Sequence, residues 1–199
     1  VYRQLYGRFR QELSSDSRGR LAAKWMKRLQ IIDSTTISLF SNLLCKGVGR
    51  NPKTGRKKGG IKVHAVIHAN EGVPSYVKFT SAATNDSFML KPANFNDGDV
   101  LAMDRAYIDY AKREELTRRG VIYVTKMKKS LSYVLWEDFM WQNPDGLMEY
   151  RIRHVTFHKT VKDGVLIRHH ARIISYVDEK KHKVIDLLTN DMDSTPEEI

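Results

Sequence analysis

Val100-Leu101-Ala102-Met103-Asp104 is the stretch that decides the fold, because four consecutive apolar residues end at a single carboxylate. A short continuous apolar run is typical of a strand that is buried on both faces of a sheet. The residues that follow predict a helix from Asp109, a favourable N-cap, to Gly120, and then a strand over Val121 to Lys126. A strand, a helix and a strand in this order predict a parallel crossover.

Three further strands are predicted upstream of this run. They cover Leu29 to Leu39, Ile61 to Ala69 and Pro74 to Ala82, which are rich in β-branched residues and separated by turn or loop residues. A short helical stretch starts near Asp86 and breaks near Pro92. An antiparallel meander followed by a crossover predicts an α/β fold of the ribonuclease-H-like kind, a mixed sheet flanked by helices.

The pattern of apolar residues and turn residues along the chain predicts four regions. They are a helical lead-in over residues 1–28, the ribonuclease-H-like core over 29–129, an antiparallel β-rich insertion after the fifth strand over 130–188, and a closing segment over 189–199. The insertion holds strand-like stretches at Met148 to Phe157, Val165 to Val177 and Lys183 to Leu188. In the closing segment, Ser194-Thr195-Pro196-Glu197-Glu198 is typical of the cap and first turn of a helix.

The charge of the chain favours a nucleic-acid partner. Lysine and arginine outnumber the acidic residues 34 to 23, for a formal net charge of +11. Residues 41–70 hold no acid, and their glycines predict a flexible loop that adapts to phosphates. We predict DNA contacts, with a solvated basic surface as the alternative, for Lys46, Arg50, Lys53, Arg56, Lys57, Lys58, Lys62, Lys126, Lys128 and Lys129.

Other classes of protein are disfavoured by what the sequence lacks. The single cysteine, Cys45, rules out an intrachain disulfide and a cysteine-based zinc site. No run approaches the roughly 20 apolar residues that span a bilayer, and Val1 to Arg10 has no apolar signal core. We therefore predict a soluble, cytoplasmic protein with no membrane partner.

Two aspartates are the candidates for chemistry. Asp33 lies within Ile31-Ile32-Asp33-Ser34-Thr35, where burial of an unpaired carboxylate costs several kcal/mol and so favours a metal or cation partner. The alternative is an aspartate that accepts hydrogen bonds from the Ser34 or Thr35 amides in a turn. Asp104 ends a parallel strand, where open α/β sheets place ligands.

The predicted topology brings these two aspartates together. In a ribonuclease-H-like sheet the first and fourth strands are parallel neighbours, so we expect Asp33 and Asp104 side by side. Two such carboxylates repel unless a cation joins them, and Mg²⁺ or Mn²⁺ prefers oxygen ligands. With two ions about 3.5 to 4 Å apart, one activates a water or a 3′-hydroxyl and the other stabilises the leaving oxygen of a phosphodiester displacement.

The motifs around these residues resemble a known family. Ile31-Ile32-Asp33-Ser34-Thr35-Thr36, then Lys57-Lys58-Gly59-Gly60-Ile61-Lys62-Val63-His64, then Met103-Asp104-Arg105-Ala106-Tyr107 are similar to the DDE transposases of bacterial insertion sequences, the group numbered four. The likeness covers nearly the whole chain in order and spacing. It implies a DNA transposase that acts as a homodimer on double-stranded transposon ends and target DNA, with Asp33 and Asp104 as its first two catalytic acids and metal ligands.

The third acid of that family has no counterpart in this sequence. In the family it is a glutamate on a helix after the insertion, within Tyr-x-x-Arg-x-x-x-Glu-x-x-x-x-x-x-Lys, and the sequence holds no such motif up to Ile199. The resemblance therefore implies a catalytic core cut short at its C-terminus, with absent or very weak activity. Glu197 and Glu198 are poor substitutes, because they fall in a predicted first turn, where acids complement the helix dipole.

Weaker candidates have more ordinary interpretations. Asp86 is favoured as a helix N-cap over an auxiliary metal ligand. His154 and His158 lack further partners for zinc, and His169 and His170 are interpreted as surface residues or phosphate neighbours. Trp136 and Trp141 are interpreted as a small hydrophobic core, with stacking on an unpaired base as the alternative.

Two other functions fit the same residues. A ribonuclease-H-like nuclease without strand transfer has the same fold and the same acids. A DNA-binding module that has lost catalysis is disfavoured, because paired carboxylates repel phosphate. The sequence does not indicate which DNA ends are recognised or whether cleavage forms a hairpin.

Overall fold

The computed structural model describes residues 4–5, 28–38, 60–69, 71, 73–107, 109–161 and 164–199. The chain forms two compact units, Val1–Leu90 and Lys91–Ile199. The predicted lead-in helices and most of the basic loop fall outside the described residues. Among the helices of the described part, none has the length and apolar character needed to cross a membrane.

The first unit holds an antiparallel three-stranded sheet in the order β3-β2-β1. Its strands are β1 (Leu29–Ser38), β2 (Gly60–His68) and β3 (Pro74–Ser81). The predicted meander is confirmed, with strand ends that differ by one residue. Successive side chains of a strand point to opposite faces, so Ile32 and its partner Val66 are buried while Asp33 is exposed.

Two 3-10 helices replace the short helical stretch expected after the meander. They are Asp86–Met89, in the first unit, and Pro92–Asn94, in the second. Lys91 separates them with an extended backbone (φ −114°, ψ 100°), because the ring of a following proline disfavours the helical conformation. The predicted break near Pro92 is confirmed.

The second unit holds a six-stranded mixed sheet in the order β4-β5-β9-β8-β7-β6. Its strands are β4 (Val100–Met103), β5 (Ile122–Lys126), β6 (Val134–Gln142), β7 (Glu149–Thr160), β8 (Leu166–Asp178) and β9 (Lys183–Thr189). Strands β4 and β5 are parallel, as predicted, and the other neighbours are antiparallel. The chain is therefore a mixed α/β protein with a large mixed sheet.

Helix α1 (Tyr110–Arg118) connects β4 to β5. The Asp109 carboxylate caps its N-terminus by accepting a hydrogen bond from the Lys112 amide at 3.2 Å, as predicted. Gly120 follows with a φ of +68°, a left-handed conformation that favours glycine and ends the helix. The helix packs on β5 and β8, where Leu116 lies in a fully buried core with Leu101, Tyr123, Ile173 and Leu188.

Two features of residues 130–188 differ from the prediction. Strand β6 was not predicted, because it is an edge strand whose two faces are both largely exposed, so its sequence lacks an alternating pattern. Strand β9 pairs with β5 through Thr125 and Leu188, so the residues predicted as an insertion extend the sheet that β4 and β5 begin. The domain boundaries drawn at residues 129 and 188 stay a prediction.

Candidate active site

Asp33 lies in the middle of β1, on its exposed side. Its Oδ1 accepts a hydrogen bond from the Ser34 amide at 2.7 Å. The expectation of a buried carboxylate is wrong, because the alternation of the strand buries Ile32 instead. The bond to the Ser34 amide that the alternative interpretation named is present, although within a strand and not in a turn. The predicted role of Asp33 as a metal ligand stays a prediction.

Asp104 directly follows β4 and is also exposed. Its Oδ1 accepts a hydrogen bond from the Ala106 amide at 2.8 Å, and its carbonyl oxygen accepts one from the Tyr107 amide at 3.1 Å. These bonds hold a tight turn between β4 and the segment that leads to α1. Since Asp109 caps the helix, the Asp104 carboxylate is not used as a cap.

The two carboxylates have the same kind of local environment. Each has one oxygen bonded to a nearby backbone amide, and neither forms an ion pair with a basic side chain in the described part of the chain. Their Oδ2 atoms accept no hydrogen bond from the described residues, and carboxylate oxygen is the donor that Mg²⁺ and Mn²⁺ prefer. Among the same residues, no group of three or more histidine, cysteine, aspartate or glutamate side chains is arranged to hold a metal. Because each carboxylate has one oxygen without a hydrogen-bond partner among the described residues, each aspartate offers the type of ligand that a divalent ion takes.

Asp86 belongs to a polar cluster that the sequence did not predict. The N-cap of its 3-10 helix is Asn85, whose side chain accepts a bond from the Ser87 amide, so the prediction of Asp86 as cap is wrong by one residue. The Asp86 Oδ1 instead accepts hydrogen bonds from the Ser34 hydroxyl at 2.7 Å and from Lys62 Nζ at 3.1 Å.

A buried histidine completes this cluster. His64 is fully buried, and its Nε2 lies 2.8 Å from the Thr80 hydroxyl oxygen. Its Nδ1 lies 3.9 Å from the Asp86 Oδ1 and has no hydrogen-bond partner among the described residues. Burial lowers the pKa of His64 below its ordinary value of 6.5. The cross-strand pairing of Ser34 with His64 shows why the cluster forms, but strand register is not visible in a single sequence.

The predicted DNA-binding residues fall into three groups. Lys46, Arg50, Lys53, Arg56, Lys57 and Lys58 lie outside the described residues, so their role stays a prediction. Lys126, Lys128 and Lys129 are exposed around the end of β5. Lys62 differs, because its side chain is only 12% exposed and forms an ion pair with Asp86. Its position makes Lys62 a member of the cluster around Asp86, and its predicted contact with DNA stays a prediction.

The histidines of the second unit have defined partners. His169, expected at the surface, is fully buried: its Nε2 lies 2.5 Å from the Tyr123 hydroxyl oxygen and its Nδ1 lies 3.1 Å from Glu114 Oε2. Burial lowers the pKa of His169. His170 is exposed, as expected, and its Nδ1 lies 2.8 Å from the Thr156 hydroxyl oxygen. His154 Nδ1 lies 2.9 Å from Glu137 Oε2.

The two tryptophans do not form the small core that was expected. Trp136 is 65% exposed, and its Nε1 donates a hydrogen bond to the Thr156 hydroxyl. Trp141 is half-buried and lies edge-on to Tyr150, with ring centroids 5.6 Å apart. Trp136 is exposed because nearly all side chains of β6, on both faces of the strand, are exposed.

Residues 195–198, where the start of a helix was predicted, form a hydrogen-bonded turn, and the helix start stays a prediction. The Thr195 amide and hydroxyl both donate to Glu198 Oε2, at 2.9 and 3.1 Å, and the Glu198 amide donates to the Thr195 carbonyl. A threonine and a glutamate three residues apart that bond in this way stabilise the start of a helical turn. The Thr195 amide and hydroxyl thus fix the position of the Glu198 carboxylate.

Comparisons with known proteins show a family and likenesses to solved structures. A family model described as the transposase DDE domain matches residues 24–199. The piggyBac transposase, solved by cryo-electron microscopy in a synaptic complex with hairpin DNA, is similar at a TM-score of 0.46 and 10% sequence identity. That likeness covers 84% of this chain and 34% of the piggyBac chain, so this chain spans about a third of that protein. No curated protein matches at a significant level.

Proposed function

Because the chain belongs to the transposase DDE domain family, we propose that Asp33 and Asp104 are catalytic acids that bind a divalent metal and cut and join DNA. The family match carries the proposal, since it spans both aspartates. The exposure of both carboxylates and their Oδ2 atoms without a partner among the described residues support it. The ribonuclease-H-like arrangement, in which the strands of these two acids are neighbours, is part of the proposal.

The protein residues have defined tasks in this proposal. The Ser34 and Ala106 amides each hold one carboxylate oxygen, which orients the other oxygen as a ligand. When bound, Mg²⁺ or Mn²⁺ ions supply activation of the attacking hydroxyl and stabilisation of the leaving oxygen. The exposed Lys126, Lys128 and Lys129 contact the DNA backbone, which carries no sequence information.

The finer parts of the proposal follow the resemblance. The protein is a transposase of a bacterial insertion sequence of group four, acts in the cytoplasm on nucleoid DNA, and binds paired transposon ends as a homodimer. A third acid completes the site, and the family's motif for it does not occur in residues 1–199. The proposal leaves Glu198 out of this role, because the Thr195 amide and hydroxyl hold its carboxylate.

Metal binding tests the two acids without requiring catalysis. Mn²⁺ bound to residues 1–199 is measured by electron paramagnetic resonance for the wild type, Asp33→Asn and Asp104→Asn. Each substitution is expected to weaken binding at least about tenfold. Asp145→Asn, which changes an exposed aspartate in a turn, serves as the matched control. Wild-type affinity in either Asp33→Asn or Asp104→Asn would refute the proposed function.

A second experiment tests whether the two acids share a site. Fe²⁺ takes the same oxygen ligands, and with ascorbate and peroxide it generates radicals that cleave the backbone close to the bound ion. Fragments that end near both Asp33 and Asp104 are expected, and Mg²⁺ should suppress them. Cleavage near only one of the two aspartates would contradict a common site.

Salt dependence tests the predicted basic loop. The logarithm of DNA affinity falls linearly with the logarithm of salt concentration, with a slope of about −0.9 for each neutralised phosphate. Replacement of Arg56, Lys57 and Lys58 by glutamine should reduce that slope by roughly 2 to 3. The same slope in the triple variant would exclude this loop from the DNA interface.

A further inference from the structure

We propose that Asp86 is a positioning residue for Asp33 and acts through Ser34. The inference rests on the proposed function, in which Asp33 is a metal ligand. It concerns the orientation of that ligand, since Asp86 does not bond to Asp33 directly.

Ser34 connects the two carboxylates with two separate donors. Its hydroxyl donates to Asp86 Oδ1 at 2.7 Å, and its backbone amide donates to Asp33 Oδ1, also at 2.7 Å. The first bond joins residues that are 52 positions apart in the chain, whereas the second is local. The position of the Asp33 carboxylate therefore depends on the placement of one serine.

Lys62 fixes the acceptor for this serine. Its Nζ donates to Asp86 Oδ1 at 3.1 Å and to the Thr84 carbonyl oxygen at 2.8 Å, which fastens β2 to the segment before Asp86. The side chains of Lys62 and Asp86 are 12% and 20% exposed, so water screens the pair only partly. Lys62 thus balances the charge of the Asp86 carboxylate and holds it in place. The Asp86 Oδ1 accepts hydrogen bonds from two donors, Ser34 and Lys62.

The geometry of a strand explains how the bond reaches Asp33. Successive residues of β1 point to opposite faces of the sheet, so Ser34 is held from the face opposite the Asp33 side chain. A fixed Ser34 side chain restricts the backbone at residues 33 and 34 and keeps the Ser34 amide aligned with Asp33 Oδ1. The Oδ2 atom is then presented in one orientation, and metal affinity is sensitive to partners that orient a ligand.

Mn²⁺ affinity of residues 1–199, measured by electron paramagnetic resonance, tests this link. Ser34→Ala and Asp86→Ala are each expected to weaken binding about tenfold, and the double variant no further, because both remove the same bond. Asp86→Asn should retain most of the affinity, since its amide oxygen still accepts the Ser34 hydroxyl. Ser75→Ala is the matched control: this serine on β3 donates to the Val66 carbonyl at 3.1 Å, and its loss should leave affinity unchanged.

Several results would overturn the inference. Wild-type affinity in Ser34→Ala, additive losses in the double variant, or equal losses in Asp86→Asn and Asp86→Ala would each break the link through the hydroxyl. An equal loss in Ser75→Ala would attribute the effect to general loosening of the sheet. If Asp33→Asn weakens binding while Ser34→Ala does not, the inference fails and the proposed function stands. Wild-type affinity in Asp33→Asn would remove both.

Discussion

Each unit buries a histidine between a hydroxyl and a carboxylate, but only in the second unit does the histidine reach both within hydrogen-bond distance. We call that arrangement closed and the other interrupted. In the second unit, His169 lies within hydrogen-bond distance of Tyr123 and Glu114. In the first unit, His64 reaches the Thr80 hydroxyl but stays 3.9 Å from the Asp86 carboxylate. The same three kinds of group therefore give a complete hydrogen-bond chain in one unit and an interrupted one in the other.

The difference shows where each carboxylate is used. Glu114 is part of α1, so its contact with His169 on β8 fastens the helix to the sheet. Asp86 accepts from Ser34 and Lys62, and its nearest oxygen is beyond hydrogen-bond distance of His64. In the His169 cluster, which supports the fold, the histidine bonds to both of its neighbours. In the cluster next to Asp33, the Asp86 carboxylate instead accepts hydrogen bonds from Ser34 on β1 and from Lys62 on β2.

The largest expected effect is on stability, in the closed arrangement. His169→Ala should lower the free energy of unfolding by roughly 3 to 4 kcal/mol, because it creates a cavity and removes the His169 contact of both Tyr123 and Glu114. His64→Ala should cost only about 2 kcal/mol, because it affects Thr80 alone, which retains a bond to the Ser81 carbonyl. Urea denaturation measures both, and equal losses would refute the distinction between closed and interrupted chains.

The pH dependence of stability should be of the next size. Burial lowers the pKa of both His64 and His169 below 6.5, so the folded chain keeps them neutral while the unfolded chain binds protons. The free energy of unfolding should therefore be constant above about pH 7. It should fall below pH 6.5 by up to about 1.4 kcal/mol per pH unit for each histidine.

Glutamine variants separate the two contributions. His169→Gln and His64→Gln should each flatten the slope of urea-unfolding free energy between pH 6.5 and 5, and the double variant should remove most of it. This window lies above the ordinary aspartate pKa, so carboxylate titration adds little to it. A slope that persists in the double variant would assign the proton uptake to other groups.

The half-buried ion pair in the first unit should have a smaller effect. Lys62→Met leaves Asp86 without its cation and should lower the free energy of unfolding by about 1 to 2 kcal/mol, between the values for surface and buried pairs. Lys126→Met, at an exposed position without an ion pair in the described part of the chain, is the control and should change nothing measurable. Equal midpoints in urea for the two variants would show that the Lys62 pair is as weak as a surface pair.

The sequence predicted elements whose signals are local. The apolar run before Asp104, the cap at Asp109 and the left-handed Gly120 placed β4, α1 and β5 correctly, because each signal depends on neighbouring residues. Strand β6 was missed because no buried face gave it a periodicity. The burial of His169 was missed for a related reason, since its partners Glu114 and Tyr123 lie 55 and 46 residues away.

The candidate site shows the same difference between local signals, which the sequence displays, and contacts between distant residues, which it does not. Asp33 and Asp104 were predicted from their places beside apolar residues, and the residues that the family model matches include both; their role stays a prediction. Ser34 appeared only as a possible amide donor, and Asp86 as a cap or an auxiliary metal ligand, because their bond joins β1 to a helix 52 residues later. Strand pairing sets which side chains meet, and pairing between distant segments is not encoded in local spacing.

The smallest effect is expected at the exposed pair between Arg151 and Asp138. Two hydrogen bonds join the guanidinium to the carboxylate, and these bonds lower the pKa of Asp138. The side chains of Arg151 and Asp138 are 54% and 28% exposed, so water screens the attraction and the pair adds little to the free energy of unfolding. Asp138→Asn should therefore leave the urea midpoint at pH 7 unchanged within error, in both low and high salt.

Comparing the Arg151–Asp138 pair with the Lys62–Asp86 pair tests whether the number of hydrogen bonds or the burial of an ion pair decides its contribution to stability. The Arg151 pair has two hydrogen bonds, whereas the Lys62 pair has one, at 3.1 Å. If hydrogen-bond number decided stability, Asp138→Asn would be the more damaging of the two changes. If screening by water decides it, the order is reversed, because Lys62 and Asp86 are mostly shielded from solvent. A loss in Asp138→Asn that matches Lys62→Met and persists in 0.5 M salt would mean that solvent access at β6 is lower than its exposed side chains indicate.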